Sequence, residues 1–161
     1  MANIIYLLLA YLFFCKVWPY CLYPNYLLRS RIERYPELIK LASELRSADK
    51  YQTVENVYRY MQDTYTGHTD LLKVRSLLSV FQLGDFSTKE MIDKNQFLWC
   101  HNQNRLFKSI LVNTGMFADD EIQIKRRLVR SFFMHQWLSL EFDGKRITVD
   151  PYYGIFKARS I

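Results

Sequence analysis

SFFMHQWLSLEFDGKRITVD, residues 131–150, decides how this chain folds. At its centre Asp143-Gly144 separates two runs in which apolar and polar residues alternate. Asp-Gly in that setting is a strong hairpin signal, because the two-residue turn that suits twisted antiparallel strands needs positive φ at both central positions. Such a turn pairs Phe142 with Lys145, and counting outward sets Trp137 against Asp150. Side chains alternate between the faces of a strand, so His135 and Trp137 share a face, which Asp150 joins from the neighbouring strand. His135 and Asp150 become diagonal neighbours, with Cα atoms roughly 7–8 Å apart. A carboxylate there can accept the imidazole N–H and fix its tautomer. Leu138, Leu140, Phe142, Ile147 and Val149 occupy the opposite face, which reads as core. Parity alone would put His and Asp on one face half the time, and an odd loop or a bulge would part them.

Ahead of the hairpin, Ile122, Ile124 and Leu128 alternate with polar residues, which predicts a further strand. Earlier still the period is helical. Leu38, Leu41, Ala42 and Leu45 recur after Pro36, a first-turn proline. Val54, Val57, Tyr58, Met61 and Tyr65 make a second stripe, ended by Gly67. Leu71, Val74, Leu78 and Phe81 make a third, ended by Gly84. Ser87-Thr88-Lys89-Glu90 fits a capping box for a short fourth helix. The fifth helix is expected from about Cys100 to Asn113, with Gly115 after its end. Helices first and strands after give an α+β class, with N-terminal helices and a central helix packed on a C-terminal antiparallel sheet.

The lower half of the fifth helix is apolar, but its first turn is Cys100-His101-Asn102-Gln103-Asn104. Buried amides must find partners. The turn is therefore either exposed, with capping side chains, or the wall of a polar cleft around the sulfur.

The 161 residues suit one domain and a short appendage, and a composition 50% hydrophobic and only 24% charged excludes a disordered body. The 22 Lys and Arg against 16 Asp and Glu give a net charge of +6. That balance attracts anions of any class, and it equally suits a domain that is merely basic. Three cysteines are present, and Cys15 and Cys21 fall in the apolar N-terminal stretch. Cys100 stands alone in the body, so no disulfide forms within it. A lone cysteine is usually a small buried apolar residue. Followed by a histidine and an aspartate, it is also a candidate nucleophile.

Residues 1–28 form a segment distinct from the body at 29–161. IIYLLLAYLFFC, residues 4–15, is unbroken apolar chain but too short to span a bilayer. Residues 4–28 suffice if Lys16 snorkels. An uncleaved membrane anchor is the preferred reading. A signal peptide, which would give an exported form, and a helix lying on the domain or in the membrane interface are the others. Arg29, Arg31 and Arg34 follow the apolar stretch, so the positive-inside rule favours a cytoplasmic body.

Cys100, then His135-Gln136-Trp137, then Asp150-Pro151 resembles the transglutaminase-like family, relatives of the papain-like thiol enzymes. In that family a histidine shortly before a tryptophan opens a strand, the catalytic Asp lies on the next strand, and the nucleophilic cysteine heads a central helix. The helix around Val54-Glu55-Asn56-Val57-Tyr58 is similar to the one preceding the cysteine. The resemblance covers roughly residues 50–155. Two departures stand out: Leu98 replaces a frequent glycine, and Gln136 a frequent small residue. Nothing marks a calcium site, so small microbial members are the nearer model. Most of those are hydrolases or uncharacterised, and some small relatives cleave leader peptides in lasso-peptide pathways.

The resemblance implies a Cys100–His135–Asp150 triad. A helix N-terminus and an imidazolium both stabilise a thiolate. His135 would take the thiol proton and return one to the leaving amine, while Asp150 holds the ring. Attack on a peptide or carboxamide carbonyl gives an acyl-enzyme, which water or an amine then resolves. The Cys100 N–H would supply one oxyanion donor, with Gln96 or Trp99 as the second. Trp137 would wall the site or, more commonly for tryptophan, fill a β-core. No cofactor or metal is expected: His101 diverges from Cys100 by about 100° on the helix, and His68 reads as a loop residue. Lys125-Arg126-Arg127 reads as the solvated face of an edge strand, with no nucleic acid expected. The expected partners are a peptide or protein substrate and, through residues 1–28, a membrane. The alternative function is a catalytically inactive binding or scaffold module of the same fold at a membrane.

Overall fold

The computed structural model describes residues 2–12, 32–67, 87–93, 98–129 and 133–161. Five helices appear among them: α1 (Ala2–Leu12), α2 (Pro36–Leu45), α3 (Lys50–Thr64), α4 (Thr88–Asp93) and α5 (Cys100–Asn113). Four strands follow, β1 (Ile122–Val129), β2 (Phe133–Phe142), β3 (Lys145–Asp150) and β4 (Ile155–Ser160), with a 3-10 turn at Pro151–Tyr153. They form one antiparallel sheet in the order β1-β2-β3-β4. The class is α+β, helices first and sheet last.

Local chemistry explains the boundaries. Asp49 caps α3 by accepting from the backbone N–H groups of Tyr51 and Gln52. Ser87 and Glu90 make the reciprocal capping box, Ser87 N to Glu90 Oε2 at 2.8 Å and Glu90 N to Ser87 Oγ at 3.2 Å. Gly115, at φ +73°, ends α5. Asp143 and Gly144 both have positive φ and place Phe142 opposite Lys145, as the two-residue turn requires.

The core lies between the helices and one sheet face. Leu38 and Ala42 of α2, Val54, Val57 and Met61 of α3, and Leu106, Phe107, Ile110 and Leu111 of α5 meet Leu138, Leu140, Ile147 and Val149 of the hairpin. α5 is central, touching α2, α3 and α4 as well as β2. Fully burying each of these aliphatic side chains contributes about 1.5–3 kcal/mol.

One expectation is corrected, and one strand is new. Trp137 does not join the apolar core; it is half-buried on the other face of the sheet, beside His135. The alternation that puts Leu138 and Leu140 into the core turns Trp137 outward. β4 is a strand that the pattern does not announce. Its edge position leaves only Ile155 and Phe156 half-buried, so its alternation is faint.

The third predicted helix, His68, Gln96 and the N-terminal segment beyond Leu12 lie outside the described residues. So do Cys15 and Cys21. Among the described residues no helix is long and apolar enough to cross a membrane. α1 is apolar and exposed, with Ile4, Ile5, Tyr6, Leu7 and Leu9 open to solvent.

Gly67, just after α3, packs against the 3-10 turn. A Cβ there would stand 2.3 Å from the Tyr152 carbonyl oxygen, a backbone atom with little room to yield. Gly67→Ala is expected to lower the unfolding free energy by about 1–3 kcal/mol, read as a lower urea midpoint. An unchanged midpoint would refute the close packing.

Candidate active site

α5 begins at Cys100. Its N-cap, Trp99, is extended and supplies no capping side chain. The first backbone bond of the helix runs from Gln103 N to Trp99 O at 2.9 Å. The N–H groups of Cys100, His101 and Asn102 therefore lie ahead of the intrahelical ladder, at the positive end of the helix dipole.

Gln103 fixes the approach to that end. Its Nε2 donates to Leu98 O at 3.0 Å and to Thr66 O at 3.1 Å, and Leu98 N also donates to Thr66 O. The chain entering α5 is thus tied to the chain leaving α3. Gln62 Nε2, in the last turn of α3, donates to Pro151 O at 2.7 Å. These bonds bring the head of α5, the end of α3 and the Pro151–Tyr153 turn together.

His135 and Asp150 stand as the hairpin register requires. Leu138 pairs with Val149, so Asp150 falls next in line, diagonal to His135. Nε2–H of His135 donates to Asp150 Oδ2 at 2.5 Å. The other oxygen of Asp150 accepts from Tyr153 N at 3.2 Å, which caps the 3-10 turn. Both carboxylate oxygens are committed, so neither the carboxylate nor the ring is free to rotate. Among the described residues, Nδ1 of His135 meets no nitrogen or oxygen partner. Cys100 acts on the same ring by hydrogen bond and charge.

Burial alone would press the His135 pKa down. Hydrogen bonds and charge from Asp150 and Cys100 outweigh it and push it up to about 9. His101, beside Cys100, behaves in the opposite way: burial first and the Arg105 charge second lower its pKa, so it stays neutral. Among the described residues no group of three or more His, Cys, Asp or Glu is placed to hold a metal ion.

Aromatic rings enclose the pair. Tyr153 meets His135 edge-on at 4.5 Å, Tyr152 lies at 5.9 Å, and Trp137 stacks at 6.1 Å. Trp99 stacks on Tyr152 at 6.4 Å. Cys100 is 0% exposed, and His135 and Asp150 are 5% exposed each. Asn102, Gln103 and Asn104 are buried as deeply, so the polar first turn of α5 is no solvent-facing cap. The amides of Asn102 and Asn104 meet no hydrogen-bond partner among the described residues.

Of the residues singled out from sequence, the fold brings together Cys100, His135, Asp150, Trp99 and Trp137, while Gln96 lies outside the described residues. Sequence reasoning missed Tyr152, Tyr153 and the clamp role of Gln103. Pro151 at the turn start and Gly154 at φ +65° were the available signals for a tight aromatic turn after Asp150. No protein-family model matches the chain, and no curated protein matches it significantly.

The raised pKa means that the folded chain holds the His135 proton more tightly than the unfolded chain does. This stabilisation is complete below the ordinary value of 6.5 and is lost as the pH rises through about 9. His135→Gln should therefore cost most stability below pH 6.5, about 2–3 kcal/mol, with the deficit closing above pH 9. Urea unfolding across that range checks this. A deficit that widens with pH would mean that the ring is buried neutral.

Proposed function

We propose that this protein is a transglutaminase-like thiol enzyme acting on peptide or carboxamide bonds through Cys100, His135 and Asp150. The observation that carries the reading is the buried His135–Asp150 hydrogen bond, on a ring that Cys100 also acts on. The helical start at Cys100, the central place of α5 and the antiparallel hairpin that follows fit the same family core.

In this mechanism Asp150 holds the imidazole by Nε2–H, leaving Nδ1 to exchange a proton with the Cys100 sulfur. The thiolate attacks the carbonyl carbon, and the electron pair of the C=O moves onto oxygen. The positive end of α5 and the Cys100 N–H would stabilise that charge, and Trp99 or Gln96 adds a second donor. Collapse expels the amine, which takes its proton from His135 Nδ1, and leaves a thioester. Water or a second amine, losing a proton to His135, then releases Cys100. Tyr152 and Tyr153 must shift for a substrate to reach the sulfur.

The full burial of Cys100 favours a second reading, a scaffold of the same fold whose polar triad only holds the hairpin to α5. Iodoacetamide alkylation against pH separates the two. It is followed in the full chain by mass spectrometry of the Cys100 peptide, so that Cys15 and Cys21 do not contribute. The enzyme reading expects reaction already near its plateau at about pH 6, slowed at least tenfold in His135→Ala. A slow reaction with a midpoint of about 8.5, unchanged by the mutation, leaves the scaffold.

The exposed apolar helix α1 supports membrane association through residues 1–28. The full chain should float with phosphatidylcholine vesicles, and Ile5→Lys/Leu9→Lys should stay in the dense fraction. Equal flotation of both would remove α1 from the anchor.

A further inference from the structure

Trp137 and Asp150 line more than the contact with His135. On the outer face of the sheet they help form a groove of about 430 Å³ that crosses β3 and β4 past Thr148 and Lys157 to Arg146 and Arg159. The register gathers these cations: Arg146 stands opposite Arg159, and Thr148 opposite Lys157. On the other flank, Lys125 stands opposite Trp137 and Arg127 opposite His135. All five cations are exposed.

Little negative charge answers them. Glu141 pairs with Arg146 at 2.6 Å, and Asp150 is committed to His135. Among the described residues no carboxylate side chain pairs with Lys125, Arg127, Lys157 or Arg159. Two arginines directly opposite across a strand pair work against sheet formation. The facing of Arg146 and Arg159 does not favour the sheet, whereas a bound anion would relieve the repulsion and gain charge-assisted hydrogen bonds.

We infer that the groove docks an acidic segment of the peptide substrate. The inference rests on the peptide-directed reading above and names the substrate class for that site. Glutamate or aspartate side chains reach Arg159 and Lys157 in the groove, while Trp137 at its inner end leads the neighbouring backbone toward His135. The shape selects a peptide: a bilayer surface is flat and meets only the rims of a groove, leaving Thr148 and Trp137 untouched.

The test uses full-length Cys100→Ala protein, which binds but cannot turn over. Fluorescence anisotropy follows a fluorescein-labelled peptide carrying a run of glutamates, beside the same peptide with serines. Binding of the glutamate peptide should be at least tenfold tighter and should weaken with added salt. It should fall at least tenfold in Lys157→Glu/Arg159→Glu, and by a smaller factor in Lys157→Gln/Arg159→Gln, with thermal melts confirming that both variants fold. Equal affinity for the two peptides, or indifference to both variants, overturns the inference. So does retention of single-stranded RNA in place of the acidic peptide, or a preference for phosphatidylserine over phosphatidylcholine vesicles that is lost in Lys157→Glu/Arg159→Glu. Thiol alkylation is scored separately on the unmodified chain. An inert thiol with intact acidic-peptide binding removes the enzyme reading and keeps the groove; a reactive thiol with no peptide preference does the reverse.

Discussion

Asp150 does two jobs at once, and the candidate site depends on both. One oxygen accepts from His135 and the other caps the turn that reverses the chain into β4. The carboxylate thereby couples the position of the imidazole to the conformation of the Pro151–Tyr153 turn. That turn carries Tyr152 and Tyr153 against the ring, and the Tyr152 backbone is the surface on which Gly67 packs. Through Gln62 and Thr66 the same node reaches the end of α3 and the entry to α5. A carboxylate that only neutralised the histidine would leave these elements independent. With two directional bonds, moving Asp150 moves the wall of the site as well.

The sheet was legible because its information is local. Asp143-Gly144 sets the turn, the turn sets the register, and register with parity sets which side chains share a face. His135 and Asp150 could be brought together on those grounds alone. The same parity argument should have removed Trp137 from the core, since Leu138 and Leu140 already occupied it; the general habit of tryptophan to be buried was the weaker guide. β4 escaped because an edge strand with one lightly buried face carries little hydrophobic period. The helices α2 to α5 announced themselves through proline, capping residues and glycine, each of which acts within a turn of the boundary it marks.

The polar first turn of α5 could not be read in the same way. Asn102, Gln103 and Asn104 suit an exposed cap and a buried polar wall equally well, and the difference lies in groups distant in sequence. Thr66 and Leu98 supply the acceptors that let Gln103 be buried. No pattern within residues 100–104 contains that fact. Nor does the sequence near Cys100 reveal that the ring beside it will be protonated, because that depends on burial competing with Asp150, fifty residues away along the chain.

That competition bears on what the site is for. Placing a charged imidazole and a carboxylate at 5% exposure costs solvation that apolar side chains of similar size would not lose. The sheet already has a continuous apolar face in Leu138, Leu140, Ile147 and Val149, so its packing does not require a charged pair. The pair is nonetheless satisfied where it can be, Nε2 on one carboxylate oxygen and a backbone N–H on the other, while Nδ1 meets no oxygen or nitrogen among the described residues. An arrangement concerned with stability alone would have no reason to leave one ring nitrogen without an oxygen or nitrogen partner among the described residues on a ring that the one cysteine of the body also acts on. Perturbed protonation of a buried histidine that a carboxylate holds and a thiol acts on is the signature expected where a proton has to move. This is the physical ground on which the catalytic reading rests ahead of the scaffold.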